Sequence, residues 1–248
     1  LAIMHLWQAV MVDVSERIQQ VEERIGQACA RSGRDRRAVK LIVVTKSASI
    51  DQIRAILRLG YNHLGESRAQ QLRQVIGEVK AFLAENPGDG FPSEVNWHMI
   101  GHLQRNKVRQ VLPSLSLIHS VDTLRLAEEI DKVARNLNLK PSILLQVNVS
   151  GEAQKFGVPI GAATHLAEQF ATFEHLRLCG LMAMGPLTDK KEEIRSCFAR
   201  ARDLFIEIKG EKLGGPHFKE LSMGMSNDYE IAVEEGSTLL RIGSAIFA

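Results

Sequence analysis

The chain has 248 residues, 45% of them hydrophobic and 24% charged, a composition that supports a full core and excludes a disordered or low-complexity protein. A formal net charge of +2 gives no strong attraction to nucleic acid or to an anionic membrane. Cys29, Cys179 and Cys197 have neither metal-ligand spacing nor a disulfide pattern, which suits a reducing cytoplasm. No apolar run approaches the roughly 20 residues that span a bilayer.

Residues 1–11 lack a basic leader and a cleavage-site pattern, so they do not read as a signal peptide. They are expected to form an N-terminal extension, disordered or partly helical, ahead of one domain over 12–248. Val14, Ile18, Val21, Ile25 and Ala28 form one apolar stripe and predict a helix over 12–30, closed by Ser32-Gly33. Val39-Lys40-Leu41-Ile42-Val43-Val44-Thr45 predicts a buried strand that ends on Lys46. Ser49 can cap a helix running to 59, with Ile53, Ile56 and Leu57 inward. A second short strand is expected over 61–65 and a helix over 66–84. Asn86-Pro87-Gly88-Asp89-Gly90-Phe91-Pro92 must be an exposed loop. The third strand is expected over 96–101, followed by a short helix over 105–112.

A fourth strand over 117–121 leads to a helix capped by Asp122 or Thr123 and carrying Leu124, Leu126, Ile130, Val133 and Leu137. Further strands are expected over 142–149, 176–184 (interrupted by Gly180), 220–223 and 238–243. The helices between them are placed over 160–172, 192–209 and 229–235. Short apolar strands alternating with helices are the signature of parallel βαβ units. Eight such units in about 210 residues predict a single (β/α)8 TIM-type barrel with an extra N-terminal helix. The competing doubly wound open sheet usually carries a Gly-rich turn after its first strand, and Thr45-Lys46-Ser47-Ala48-Ser49 has no glycine.

In such a barrel the site is built at the strand C-termini. Those positions collect Lys46, Asn62, Gly65, His98, Gly101, Ser120, Asn148, Met184, Ser222, Met223 and Arg241. A partly desolvated lysine can have its pKa lowered enough to form a Schiff base with an aldehyde. Taken alone, the plainer reading of Lys46 is a lysine reaching to solvent where a strand stops. Gly224-Met225-Ser226-Asn227-Asp228 and Gly243-Ser244 follow the seventh and eighth strands, where loops often bind phosphate through amides and hydroxyls. The plainer reading of each is a turn. Alternation could point Arg241 into the barrel mouth, where its charge demands a partner. His98 and His102 lack the His-Glu-x-x-His form and a third ligand, so no metal site is expected. His63 and His119 read as core or rim histidines. A strand-one lysine beside an anion site fits a phosphorylated aldehyde, either pyridoxal phosphate or a sugar phosphate processed by a Schiff-base aldolase.

Several segments act together here: Val43-Val44-Thr45-Lys46, Leu64-Gly65-Glu66-Ser67, Trp97-His98-Met99-Ile100-Gly101-His102-Leu103-Gln104-Arg105-Asn106-Lys107, Gln146-Val147-Asn148-Val149, Lys155-Phe156-Gly157, Gly180-Leu181-Met182-Ala183-Met184, Leu221-Ser222-Met223-Gly224-Met225-Ser226 and Arg241-Ile242-Gly243-Ser244-Ala245-Ile246-Phe247. As a set, they resemble the pyridoxal-phosphate homeostasis protein family, also called the YggS or PROSC family, over nearly the whole chain from about residue 12. The resemblance implies the barrel of the alanine racemase N-terminal domain. It implies that Lys46 carries pyridoxal 5'-phosphate as an internal aldimine and that Ser226, Gly243 and Ser244 hold the phosphate. Asn62 and Met223 would line the ring pocket, and Arg241 would face the pyridine nitrogen. The chain departs from a common family pattern at Ser67-Arg68, where many members have Asn-Tyr, and at Gln71, where Glu is frequent.

The function so implied is non-catalytic: a cytoplasmic cofactor-binding protein of vitamin B6 and amino-acid homeostasis, with no catalytic residue. The alternative is a pyridoxal-phosphate-dependent amino-acid racemase. A charged guanidinium beside the ring nitrogen disfavours protonation there and weakens the ring as an electron sink. Related racemases also take a tyrosine base from a second domain of a partner chain. Here Phe247-Ala248 follow the eighth strand directly, and Tyr61 and Tyr229 are not placed to replace that base. The expected partners are the cofactor and recipient pyridoxal-phosphate-dependent enzymes, with no nucleic acid and no membrane. A monomer is expected in preference to a dimer.

Overall fold

The computed structural model describes residues 2–248, with side chains described for residues 7–248. Leu1, the first residue of the expected 1–11 extension, lies outside the described residues. Helix α1 spans Ala2–Arg31 and so begins well before residue 12. Its apolar stripe explains the early start: Trp7, Val10 and Met11 pack, partly buried, against the same core as Val14, Ile18, Val21 and Ile25. Ser49 then caps α2 (Ile50–Arg58) in a reciprocal box. The Ser49 hydroxyl accepts from Gln52 N–H at 3.2 Å, and the Gln52 side chain accepts from Ser49 N–H at 2.9 Å.

Eight strands form the barrel: β1 (Lys40–Val44), β2 (His63–Glu66), β3 (Asn96–Met99), β4 (Leu115–Val121), β5 (Ser142–Asn148), β6 (Arg177–Ala183), β7 (Glu220–Ser222) and β8 (Leu239–Ile242). All pairings are parallel. β1 pairs with both β2 and β8, and β4 pairs with β5, so the ring closes. Closure leaves none of these eight strands with a free edge and rules out the open sheet. The two-residue piece Val158–Pro159 adds to β5 beside Val147 and Asn148.

The remaining helices are α3 (Ala69–Glu85), α4 (Val108–Val111), α5 (Leu124–Leu137), α6 (Ile160–Ala171), α7 (Lys191–Gly210), α8 (Tyr229–Glu234) and α9 (Ser244–Phe247). α3 starts later than expected because Glu66 still belongs to β2. The short helix expected over 105–112 is broken into α4 and two flanking 3-10 turns, the second with Pro113 in its first turn. α9 was not expected, being a single turn with no periodic stripe to reveal it.

Alternation sorts each strand between two cores. Leu41 and Val43 belong to the large core shared with the helices, whereas Ile42 belongs to a small interior group with Leu117, Leu144, Met182 and Leu239. Fully burying side chains of this size contributes about 1.5–3 kcal/mol each. Gly180 does not interrupt β6. It pairs with Glu220 of β7, at φ +152°. A Cβ there would lie 1.7 Å from Glu220 O, so only glycine allows the two strands this approach.

Candidate functional site

The alternation that places Ile42 inside the barrel continues through Val44 to Lys46, which follows the end of β1. Lys46 and Arg241 line one cavity of about 670 Å³ at the C-terminal mouth, together with Ser67, Met184, Asp228 and Gly243. Lys46 is exposed to that mouth. The Gln71 side chain on α3 fixes the turn beneath it, donating from Nε2 to Lys46 O at 2.8 Å.

Arg241 lies inward on β8 and is only 4% exposed. Its guanidinium donates to Ser222 Oγ and, at 3.0 Å, to Ala183 O. Burial lowers its pKa to about 10, with the Asp228 charge working the other way, so it stays a cation at neutral pH. Asp228 is buried too. Burial raises its pKa, while the Met225 N–H donated at 2.6 Å and the Arg241 charge oppose that rise. The loop after β7 is thus folded around an acid that faces the buried arginine.

The loops after β7 and β8 meet at one oxygen. Ser226 Oγ accepts from Gly243 N–H at 3.3 Å and from Ala245 N–H at 3.1 Å, at the start of α9. These amides converge as they would on an anion oxygen. Gly243 packs its Cα against β1: a Cβ there would lie 2.9 Å from Val44 O. Ser226, Gly243 and Ser244 therefore come together, beside the cavity that Lys46 and Arg241 share.

Two expected residues are not part of this mouth. Asn62 precedes β2 at the opposite, N-terminal end of the barrel, where its Nδ2 donates to Glu94 O at 3.3 Å. A residue before a parallel strand cannot reach the end where the strand finishes. Met223 is fully buried in the core between barrel and helices. Its neighbour Ser222 takes the inward position, and strict alternation sends Met223 outward. Met184, with the parity of Met182, is the methionine that lines the cavity.

Sequence reasoning missed two features. Glu66, at the end of β2, is completely buried, and its Oε2 has no hydrogen-bond partner among the described residues. His63, His98 and His119 form a contiguous chain inside the barrel, with ring nitrogens 3.0 Å apart at each step. The signal for the second was present: each histidine lies on a successive strand with inward parity.

The residues of the mouth fit pyridoxal phosphate. An amine, a buried cation and two convergent amides already gathered on an oxygen match an aldehyde, a ring nitrogen and a phosphate. The sequence profile of the family described as "Alanine racemase, N-terminal domain" matches residues 18–248. The pyridoxal phosphate homeostasis protein of Aquifex aeolicus is 35% identical over 237 residues, covering 95% of this chain and 98% of that protein. A crystal structure of an unknown protein from Bifidobacterium adolescentis superposes with a TM-score of 0.89 at 34% identity, covering 96% of each chain. PipY of Synechococcus elongatus, solved with PLP bound, superposes with a TM-score of 0.76 at 32% identity, covering 92% of this chain and 100% of that one. Full-length likeness at this identity, on a barrel of this type, carries the assignment: the chain belongs to the pyridoxal phosphate homeostasis protein family.

Proposed function

We propose that this protein binds pyridoxal 5'-phosphate without turning over a substrate and serves intracellular vitamin B6 and amino-acid homeostasis. The observation that carries this reading is the convergence of Lys46, Arg241 and the Ser226–Gly243–Ala245 contact on one cavity. The relatives' name and the PLP bound to PipY support it.

Lys46 Nζ is the amine that would hold the cofactor's aldehyde carbon. Ser226, Gly243 and Ser244 would bind the phosphate through hydroxyls and amides, and Arg241 would face the ring nitrogen. When bound, pyridoxal phosphate supplies an electrophilic carbonyl and an aromatic ring that can accept electrons. Arg241 would hold its charge beside that ring and disfavour protonation of the ring nitrogen, which weakens the electron-accepting character. No tyrosine lines the cavity among the described residues. Tyr61 donates to Glu22 Oε1 at 3.2 Å, and Tyr229 is buried on α8. The mouth therefore contains a carrier's amine but no phenolic base to move a substrate proton.

Residues 12–248 act as the binding unit, as a monomer in the cytoplasm. They serve recipient pyridoxal-phosphate-dependent enzymes, and neither nucleic acid nor membrane is a partner. No described helix is long and apolar enough to cross a membrane.

Borohydride reduction of the loaded protein followed by peptide mass analysis tests the reading. A cofactor-mass adduct is expected on Lys46 and is expected to vanish in Lys46→Ala. Absence of any adduct on Lys46 overturns the cofactor assignment. Robust turnover from a panel of amino acids overturns the non-catalytic assignment.

A further inference from the structure

The barrel interior is not a uniform apolar plug. A line of polar side chains crosses it from the half-buried base to the mouth. His63 Nδ1 lies 3.0 Å from His98 Nε2, His98 Nδ1 lies 3.0 Å from His119 Nε2, and His119 Nδ1 lies 2.9 Å from Ser222 Oγ. Ser222 Oγ in turn accepts from Arg241. His119 and Ser222 are fully buried, or nearly so, and His98 is 3% exposed.

The direction of this line follows from its end. A guanidinium has donors only, so Ser222 Oγ must accept from Arg241. The serine then has one hydrogen left, and His119 Nδ1 is the neighbouring acceptor. If the serine donates there, His119 carries its proton on Nε2 and donates to His98 Nδ1. His98 likewise donates from Nε2 to His63 Nδ1. The last free N–H, on His63 Nε2, falls at the partly exposed base of the barrel, within reach of water. The opposite direction leaves the buried Ser222 hydrogen with no acceptor, which costs about 1–3 kcal/mol. All donors therefore point away from Arg241.

We infer that His63, His98, His119 and Ser222 form a one-directional hydrogen-bond column that positions the Arg241 guanidinium towards the ligand cavity. The column fixes one nitrogen of Arg241 through Ser222, and Ala183 O fixes the other at 3.0 Å. With two points held, the remaining edge of the guanidinium has one orientation in the cavity that it lines. The column is not a route for protons to the ligand, because Arg241 at its end cannot accept one. Its members are positioning residues, three side chains removed from the mouth at the farthest. The step from column to cofactor rests on the reading given under Proposed function.

Long-range proton–nitrogen NMR on histidine- and arginine-labelled protein, stripped of cofactor, tests the column by itself. The three rings are expected to be neutral, each with its proton on Nε2. The Arg241 guanidinium is expected to give separate, slowly rotating NH2 signals. Any of the three rings protonated on Nδ1 overturns the column. In Ser222→Ala, His119 is expected to lose its single tautomer and the Arg241 signals to average. Unchanged signals in that variant overturn the link through Ser222. Loaded with pyridoxal phosphate, Ser222→Ala is expected to retain it about fivefold more weakly, the equivalent of one ordinary hydrogen bond. Unchanged retention despite averaged Arg241 signals overturns the positioning role. If the unsubstituted protein retains no cofactor, the function reading fails, while the cofactor-free spectra still decide the column.

Discussion

Thr45 Oγ1 donates to Glu66 Oε1 at 2.5 Å across the ends of β1 and β2, and the other carboxyl oxygen of Glu66 has no partner among the described residues. Thr45 is the residue before Lys46, so this contact ties β2 to the point where the chain leaves β1 for the lysine of the mouth. Burial raises the Glu66 pKa, and hydrogen bonds from Thr45 and Ser67 together with the Lys46 charge offset only part of that rise.

The sign of the resulting pH dependence follows. A carboxyl whose folded pKa exceeds its ordinary value of 4.5 binds its proton more tightly in the folded chain. Its stabilisation is full below that ordinary value and is lost as pH rises through the folded value. Glu66→Gln keeps an acceptor for Thr45 and cannot ionise. In cofactor-free protein its urea midpoint is expected to exceed that of the unsubstituted chain at pH 7. At about pH 4 the two midpoints are expected to coincide. An advantage that persists unchanged at the lower pH would assign the effect to packing instead of ionisation.

Gly243→Ala tests the close approach of the last loop to β1. The added Cβ would meet Val44 O at 2.9 Å and Val44 Cβ at 3.1 Å, and the backbone oxygen cannot step aside cheaply. A loss of about 1–3 kcal/mol in stability is expected, as for other overpacked sites. Retention of pyridoxal phosphate is expected to fall as well, because the Gly243 and Ala245 amides move together. Equilibrium dialysis and urea unfolding measure the two effects. Intact retention would show that these amides do not bind the phosphate.

Much of this arrangement is legible from residue order alone. The strands announce themselves because each is a short apolar run bounded by a helix with a clear stripe, and Lys46 is found because its strand is the most continuous. Parity within the strand is what sequence reasoning did not use. Counting inward positions from Ile42 and Met182 would have kept Met184 and Ser222 and turned Met223 outward. Asn62 was misplaced for a different reason: β2 begins at His63, so Asn62 is at the wrong end of a short strand. The link from the histidines to the mouth was hidden because His119 and Ser222 come from strands far apart in sequence. Only the closed ring brings His119 to Ser222.

Gln71 shows how a departure from the common family pattern can have its own physical logic. Its amide nitrogen donates to Lys46 O, and a carboxylate in that place could only accept. Gln71→Glu is therefore expected to lose this contact and set two acceptors against each other. The expected cost is about 1 kcal/mol or less, since the pair is exposed. The lysine turn should exchange its amide hydrogens faster in the variant. Equal hydrogen-exchange protection at Lys46 and Ser47 would show that the turn holds without Gln71.

The column also predicts how the fold responds to acid. Burial and then the Lys40 charge push the His63 pKa down to about 4, from an ordinary 6.5. His98 is pushed down to about 3 by burial, then by His63 and Lys40, and His119 lies well below its ordinary value through burial, His98 and Arg241. A base that is neutral when folded but protonated when unfolded costs stability as pH falls. The loss begins near 6.5, where the unfolded chain starts to bind protons, and levels off only near the folded value. Carboxyls raised by burial, Glu66, Asp122 and Asp228, work in the opposite sense, so one imidazole has to be isolated by difference. His63→Gln keeps an acceptor for His98 but takes up no proton. Relative to the unsubstituted chain, its urea midpoint is expected to gain ground steadily between about pH 6.5 and about pH 4 and to hold a constant offset above about pH 7.5. An offset that is the same at every pH would mean that His63 titrates alike in the folded and unfolded chains, and that the base of the column is open to solvent.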